Sequence, residues 1–246
     1  MKTLVAIPAF NEHESIGPVL DELTTHHPLA HVIVIDDGSR DGTHLVVRGR
    51  GVRVIRHAVN LGVGAAMGTA FKYAVRNGYD AVVQVDADGQ HRPEFLERLL
   101  AGVGSADIVI GSRFANGGRF RTTGARRSAQ VIIAWVVSAY TRTRLTDVTS
   151  GFRVAGPRAV RLFAQHYPVE WLGDTVESVV LASRQGLKVS EISVEMNERM
   201  AGLPSQNIFR ALGYTSRIFF ILLLAGLRKM PRGVQSGVID EKETAA

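Results

Sequence analysis

Short apolar runs rich in Val and Ile alternate along the chain with stretches in which apolar residues recur every three or four positions. The runs 4–7, 32–35, 52–55, 81–85 and 108–110 each stop at a proline, a glycine or a charged residue. They read as buried strands, because a strand covered on both faces needs no polar alternation. Between them lie helical patterns. Ile16, Val19, Leu20 and Leu23 form one apolar face, 65–75 is rich in small residues, and 93–100 opens on a proline, which a first helical turn accepts. Alternation of strand and helix predicts an α/β fold with a mostly parallel central sheet flanked by helices.

The second half of the chain has a different pattern. Residues 114–127 mix glycines with arginines and read as a mobile basic loop. Helices are expected over 128–140 and 176–185, a turn with a short strand over 147–153, and a strand over 188–196. A helix is expected over 207–229, with an apolar middle and basic ends, and a polar tail over 231–246. These spans predict an α/β domain over 1–206, an apolar or amphipathic helix over 207–230 and a flexible tail over 231–246.

Composition narrows the function. The 246 residues are 46% hydrophobic and 21% charged, which excludes a disordered or fibrous chain. Cysteine is absent, so a thiol nucleophile and thiolate metal sites are excluded. The net charge of +6 favours anionic partners: nucleotide, phosphate or a membrane surface. The basic runs lack interleaved aromatics and a reading helix, so nucleic acid is not the expected partner. The first apolar run is too short for an export signal and stops at Pro8, and the run 218–227 is well short of the ~20 residues of a spanning helix. The expected location is cytoplasmic.

Acidic residues gather where strands end. Asp86-Ala87-Asp88-Gly89-Gln90-His91 follows the fourth apolar run. Ligands of open α/β sheets sit beyond the carboxyl ends of strands, and two carboxylates with an amide oxygen are hard ligands suited to Mg²⁺ or Mn²⁺ on a diphosphate. Asp36-Asp37-Gly38-Ser39-Arg40-Asp41 follows the second run; an acid there can accept hydrogen bonds from a base or a ribose, and Ser39 or Asp41 can cap a helix. The glycines of Asn60-Leu61-Gly62-Val63-Gly64 invite a dinucleotide reading, but their spacing is wrong and the first strand–turn–helix unit, Pro8-Ala9-Phe10-Asn11-Glu12, has no glycine. Asp147 to Arg153 combines an acid, hydroxyls and a guanidinium, equally consistent with a capped turn holding an ion pair. Arg199 precedes a Gly/Pro loop, as in a movable phosphate clamp or a solvated pair with Glu198.

The order of these motifs, continued by Gly111-Ser112-Arg113 and Ser150-Gly151-Phe152-Arg153, resembles family 2 glycosyltransferases of the GT-A fold, and within them the dolichol-phosphate mannose synthase group of polyprenyl-phosphate glycosyltransferases. The resemblance runs from about residue 3 to 206. It implies that Pro8, Phe10, Glu12, Ile35, Asp37, Asp86 and Ala87 hold the nucleotide, that Asp88 and Gln90 bind the metal, and that Arg113 and Arg199 act with Asp88 on the donor diphosphate or acceptor phosphate. Phe10 stands where many relatives have Tyr, and Gln206 where a Lys is common. The implied reaction is inverting, metal-dependent transfer from a UDP-sugar or GDP-mannose to polyprenyl phosphate.

A phosphate acceptor is already ionised near neutrality, its second pKa being ~6, so no strong general base is required. Arg126, Arg127 and Arg153 are candidates for holding it. Asp174 and Glu177 are base candidates if the acceptor is instead a saccharide or small-molecule hydroxyl; otherwise they are acids at a helix start. The apolar run 131–137 is either a wall for a lipid or buried core. Residues 207–230, with Arg217, Arg228 and Lys229 around an apolar middle, resemble an interfacial anchor on the cytoplasmic face of a membrane. A sugar nucleotidyltransferase is the alternative of another class, but the Gly-rich triphosphate loop it needs is missing.

Overall fold

The computed structural model describes residues 1–27, 30–115, 124–168 and 174–197, the side chains at 124–126 and 129 excepted. Seven strands form one sheet in the order β3-β2-β1-β4-β6-β5-β7. They are β1 (Thr3–Ala9), β2 (His31–Asp36), β3 (Arg53–Arg56), β4 (Ala81–Gln84), β5 (Ile108–Ser112), β6 (Arg153–Ala155) and β7 (Val189–Ser193). The helices are α1 (Ile16–His26), α2 (Thr43–Gly49), α3 (Val63–Arg76), α4 (Leu96–Ala101), α5 (Gly124–Thr141), α6 (Pro157–His166) and α7 (Asp174–Arg184).

The central strands read as unbroken apolar runs because the sheet is covered on both faces. Leu4, Ala6, Ile33, Ile35, Val82, Ile108 and Ile110 pack on one side with α3, α5, α6 and α7. Their neighbours Val5, Ile7, Val34, Val83 and Val109 turn to the other side with α1 and α4. Alternation survives as a choice of core rather than of core against solvent.

The pairings β1–β2, β1–β4, β2–β3 and β5–β7 are parallel, whereas β6 runs antiparallel to both β4 and β5. The sheet is therefore mostly parallel, as expected, with one reversed strand that apolar content alone does not signal. Reversal matters for the site: the amino end of β6 lies at the same sheet edge as the carboxyl ends of the other six. The chain order also reverses between β1 and β4, which opens a crevice at their carboxyl ends. Pro8 is tolerated in a central strand because the β1–β4 ladder stops at Ala6 and Gln84, two residues earlier.

Several elements differ from the sequence reading. The helix expected over 128–140 spans Gly124–Thr141, and that over 176–185 spans Asp174–Arg184. The strand expected over 188–196 is Val189–Ser193, and the short strand starts only at Arg153. The segment 93–100 divides into a 3₁₀ turn, Pro93–Phe95, and α4. Helix α2 was anticipated only as the helix that Ser39 or Asp41 could cap, and α6 was not anticipated. In α6 the signal is present, a proline at the first turn and buried Ala159, Val160, Leu162 and Phe163 on one face. The expected helix 207–230, the tail and residues 116–123 of the basic loop lie outside the described residues.

Candidate active site

Each acidic motif leaves the sheet at this edge. After β1, Phe10 is 42% exposed and Asn11 adopts φ 55°, which turns the chain back towards the loop after β2. There the Asn11 N–H donates to Ser39 Oγ (2.9 Å), the Glu12 N–H to Thr43 Oγ1 (2.9 Å) and the His13 N–H to Asp41 Oδ2 (3.0 Å). Asp41 Oδ1 also accepts the Thr43 N–H, so Asp41 supports the start of α2, while the cap position itself is Gly42 and Ser39 serves the Asn11 loop. Gly38 has φ 77°, and a Cβ there would stand 2.6 Å from the Val59 carbonyl carbon; both facts require glycine.

Asp36 and Asp37 are buried. Asp36 accepts the Ser39 N–H and pairs with Arg56 Nε at 3.2 Å. Asp37 takes the N–H groups of Leu61 (3.0 Å) and Gly62 (2.7 Å) and lies 2.7 Å from His57 Nδ1. The Asn60-Leu61-Gly62 segment is thus a backbone loop clamped by Asp37. A carboxylate offers about four acceptor sites, so Asp37 keeps room for one more donor.

After β4 come Asp86, whose carboxylate is 37% exposed, and buried Asp88, whose Oδ1 accepts the Gln90 N–H at 3.0 Å. The Asp86 N–H donates to His91 Nδ1 (2.9 Å), which makes Nδ1 the bare nitrogen and places the ring proton on Nε2, 3.4 Å from Asp86 Oδ2. The His91 ring is stacked on Phe152 with centroids 4.7 Å apart. A Cβ on Gly151 would meet Asp86 Oδ2 at 2.8 Å, so the glycine before β6 leaves the space this carboxylate occupies.

After β5, Arg113 grips Asp147 with Nε to Oδ2 (2.6 Å) and Nη2 to Oδ1 (2.7 Å), a bidentate geometry only arginine offers. Burial pulls the Arg113 pKa down, but the hydrogen bonds and charge of Asp147, with the charge of Asp86, outweigh it and raise it overall. Asp147 is anchored in turn, its N–H donating to Glu191 Oε1 (2.8 Å), and Glu191 Oε2 accepts from the Thr146 N–H and hydroxyl. Burial raises the Glu191 pKa, against the lowering effect of these hydrogen bonds.

A family model described as Glycosyl transferase family 2 matches residues 4–165. The chain belongs to glycosyltransferase family 2. It is 35% identical over 214 residues to an undecaprenyl-phosphate mannosyltransferase of Micrococcus luteus, covering 82% of this chain and 86% of the relative. It is 33% identical over 215 residues to a polyprenol monophosphomannose synthase of Mycolicibacterium smegmatis, covering 82% and 80%. Among solved structures, glucosyl-3-phosphoglycerate synthase of Mycobacterium tuberculosis, in complex with Mn²⁺, UDP and phosphoglyceric acid, superposes with a TM-score of 0.60 at 20% identity, over 91% of this chain and 78% of that one. That likeness establishes the GT-A-like fold.

In this transferase the structure gathers Pro8, Phe10, Glu12, Ile35, Asp37, Asp86, Ala87, Asp88, Gln90 and Arg113 at one sheet edge. Arg127 approaches the same region, its guanidinium 3.3 Å from the Phe114 ring centroid. The Arg126 side chain and Arg199 lie outside the described residues. Arg153 is a correction. It is buried, and its guanidinium donates to the carbonyls of Val148, Ser150 and Thr175 and to Ser178 Oγ. It staples the turn before β6 to α7 and is not presented to an acceptor phosphate. Asp147, placed in the sequence between a capped turn and a functional motif, is the ion-pair partner of the turn.

Asp174 opens α7 and is buried, accepting from the Tyr167 hydroxyl at 3.3 Å. Burial raises its pKa to about 6, against the lowering charge of Arg153, and Asp86 adds a smaller upward push. The folded state therefore binds a proton that the unfolded chain has released. From this group, stability falls as pH rises from about 4 to about 6, by about 3 kcal/mol in all. Urea unfolding at pH 4.5 and pH 7 should show Asp174→Asn losing that decline and gaining stability at pH 7; equal pH slopes for the two proteins would refute the shift. Glu177, one turn further on, is half-buried.

Glu191 was not picked out from the sequence, His91 and Gly151 stood there only inside motifs, and Asp147 only as the acid of a capped turn or functional motif. Glu191 had a signal, an acid in the middle of an expected strand. His91 had none beyond its place in the motif, because only the fold brings it back under Asp86. His91→Phe keeps a ring against Phe152 but removes the acceptor for the Asp86 N–H. It should lower stability by about 1–3 kcal/mol and reduce turnover by more than that loss of folded protein explains. His91→Asn, whose Oδ1 can replace Nδ1, should recover much of both in thermal melts and initial-rate assays.

Proposed function

We propose that the chain transfers a sugar, with mannose first among the candidates, from a nucleotide diphosphate donor to polyprenyl phosphate, with inversion at the anomeric carbon. The observation that carries this reading is the identity with two polyprenyl-phosphate mannosyltransferases over four-fifths of the chain, coinciding with acids and an arginine at one strand edge. Phe10 and Pro8 offer an apolar face for the base, and Glu12 and Asp37 offer acceptors for its N–H groups or the ribose.

Asp88 and Gln90 present hard oxygens, so they fit Mg²⁺ or Mn²⁺. Among the described residues no group of three or more His, Cys, Asp or Glu side chains converges as a metal site, so diphosphate and water oxygens would complete the shell. The bound cation would supply positive charge to the leaving diphosphate. Arg113 adds fixed charge beside Asp86, and its rigid grip on Asp147 means that little reorganises during reaction. An acceptor phosphate oxygen attacks the anomeric carbon opposite the departing diphosphate, and the carbon–oxygen bond to the nucleotide breaks. Because that oxygen is already anionic, no side chain has to remove a proton.

The second reading is a hydroxyl acceptor, for which Asp174, its pKa raised by burial to about 6, would be the base. The deciding experiment offers the purified protein radiolabelled GDP-mannose and a panel of UDP-sugars, with Mg²⁺ or Mn²⁺ and polyprenyl phosphate. Label in the organic phase supports the proposal and identifies the donor. Nucleotide release without lipid labelling, dependent on a saccharide, would replace it with the hydroxyl reading. We place the enzyme on the cytoplasmic face of a membrane; no described helix is long and apolar enough to cross one.

A further inference from the structure

Helix α5 is apolar on both sides. Its inner face, Ile133, Ala134 and Val137, is buried in the core beneath the sheet. Its outer face carries Val131 (48% exposed), Ile132 (53%) and Trp135 (71%), and Trp135 is the most exposed large apolar side chain among the described residues. Ser128, Val131, Ile132, Trp135 and Ala139 follow one another at helical spacing, so the exposed residues form a stripe. No charged residue occurs from 128 to 141, which leaves the stripe without the polar cover a water-facing helix has.

The charge around this stripe is of one sign. From residue 108 to 146 the chain has seven arginines and no aspartate or glutamate. Arg142 and Arg144, just beyond the end of α5, are exposed, and Arg127 lies in its first turns. An apolar stripe with an outward tryptophan, a tyrosine at its end (Tyr140, 37% exposed) and flanking cations is the composition of a helix lying in a lipid headgroup layer. A second copy of the chain fits less well. A two-fold contact through this face would bring like-charged arginines together.

We propose that the outer face of α5 docks the protein on an anionic lipid surface, with Trp135 and Ile132 inserted among the headgroups and Arg142 and Arg144 on the phosphates. The docked helix begins beside the site, where Arg127 covers Phe114, the residue after Arg113. Docking would therefore hold the arginine end of the crevice near the membrane. That this serves a lipid-borne acceptor rests on the reading above; the surface itself can be tested without any acceptor.

The test uses the full chain and vesicles of phosphatidylcholine with or without phosphatidylglycerol. The double variant Ile132→Ser/Trp135→Ser alters only exposed side chains, so its melting temperature should stay within a few degrees of the wild type. Its partition onto anionic vesicles should fall about tenfold or more. With Trp171→Phe leaving Trp135 as the sole tryptophan, emission should shift to the blue and be quenched by brominated lipid. Unchanged partition of the double variant, or wild-type sedimentation with Trp135 unquenched, would overturn the proposal. So would self-association that the serines abolish in the absence of vesicle binding, which would make a second copy the occupant. Transfer to detergent-dispersed polyprenyl phosphate separates the two ideas. Labelled lipid without vesicle binding sinks the docking surface alone, and vesicle binding without labelled lipid sinks the acceptor reading alone.

Discussion

Asp88→Asn is expected to reduce sugar transfer by about 10³-fold or more while leaving the fold intact. The substitution is nearly isosteric, and the amide oxygen can still accept the Gln90 N–H that Asp88 Oδ1 accepts now. What disappears is the negative charge. With it goes the stronger of the two proposed cation ligands, because Gln90 contributes only a neutral oxygen. The loss should appear in turnover at saturating donor and should be only partly relieved by raising Mn²⁺. Transfer within threefold of the wild type would remove Asp88 from the site and leave the acidic motif as a structural turn. Thermal melting separates this from misfolding, since the midpoint should move by only a few degrees.

Arg113→Gln should have the second largest effect, a drop of about 10²-fold in turnover, with a smaller change in the Michaelis constant for the donor. The geometry makes a competing expectation explicit. Arg113 is paired with Asp147, and Asp147 is buried, so a purely structural arginine would cost stability and little else. Asp147→Asn discriminates. If Arg113 acts on phosphate oxygens and Asp147 only aims it, Asp147→Asn should lower turnover less than Arg113→Gln, and the double variant should be no worse than Arg113→Gln alone. If both single variants shift the melting temperature equally and leave turnover per folded molecule unchanged, the phosphate role is wrong. Arg113→Lys tests the fork: a lysine restores charge without the bidentate grip and should recover only part of the loss.

Much of this architecture was legible beforehand, for a physical reason. Strands such as 32–35 and 81–85 are covered on both faces, so local composition reports their state directly. The turn residues that end them are the same residues that form the candidate site. The acidic pairs at 36–37 and 86–88 could thus be placed at strand ends without coordinates. The boundaries of β6 and α6 were harder. Three residues carry too little periodicity to mark a strand, and the reversed direction of β6 depends on pairing with β4 and β5, whose partners lie about 40 to 70 residues away in sequence.

Within the site the division is sharper. Local chemistry determines which side chains can bind diphosphate or a cation: carboxylates, an amide, arginines. It does not determine whether a given group faces the crevice or the core. Arg113 and Arg153 look alike as arginines two residues after a glycine. The fold pairs one with Asp147 beside Asp86 and buries the other among backbone carbonyls. Likewise Asp174 is an ordinary helix-start acid in the sequence, and only burial, with a smaller push from Asp86 and against the charge of Arg153 and the Tyr167 hydrogen bond, raises its pKa to about 6. Desolvation and long-range partners are properties of the packed chain. The motif order revealed the family and the chemistry available to it, and tertiary packing decided which of these residues lie at the crevice and which are buried in the fold.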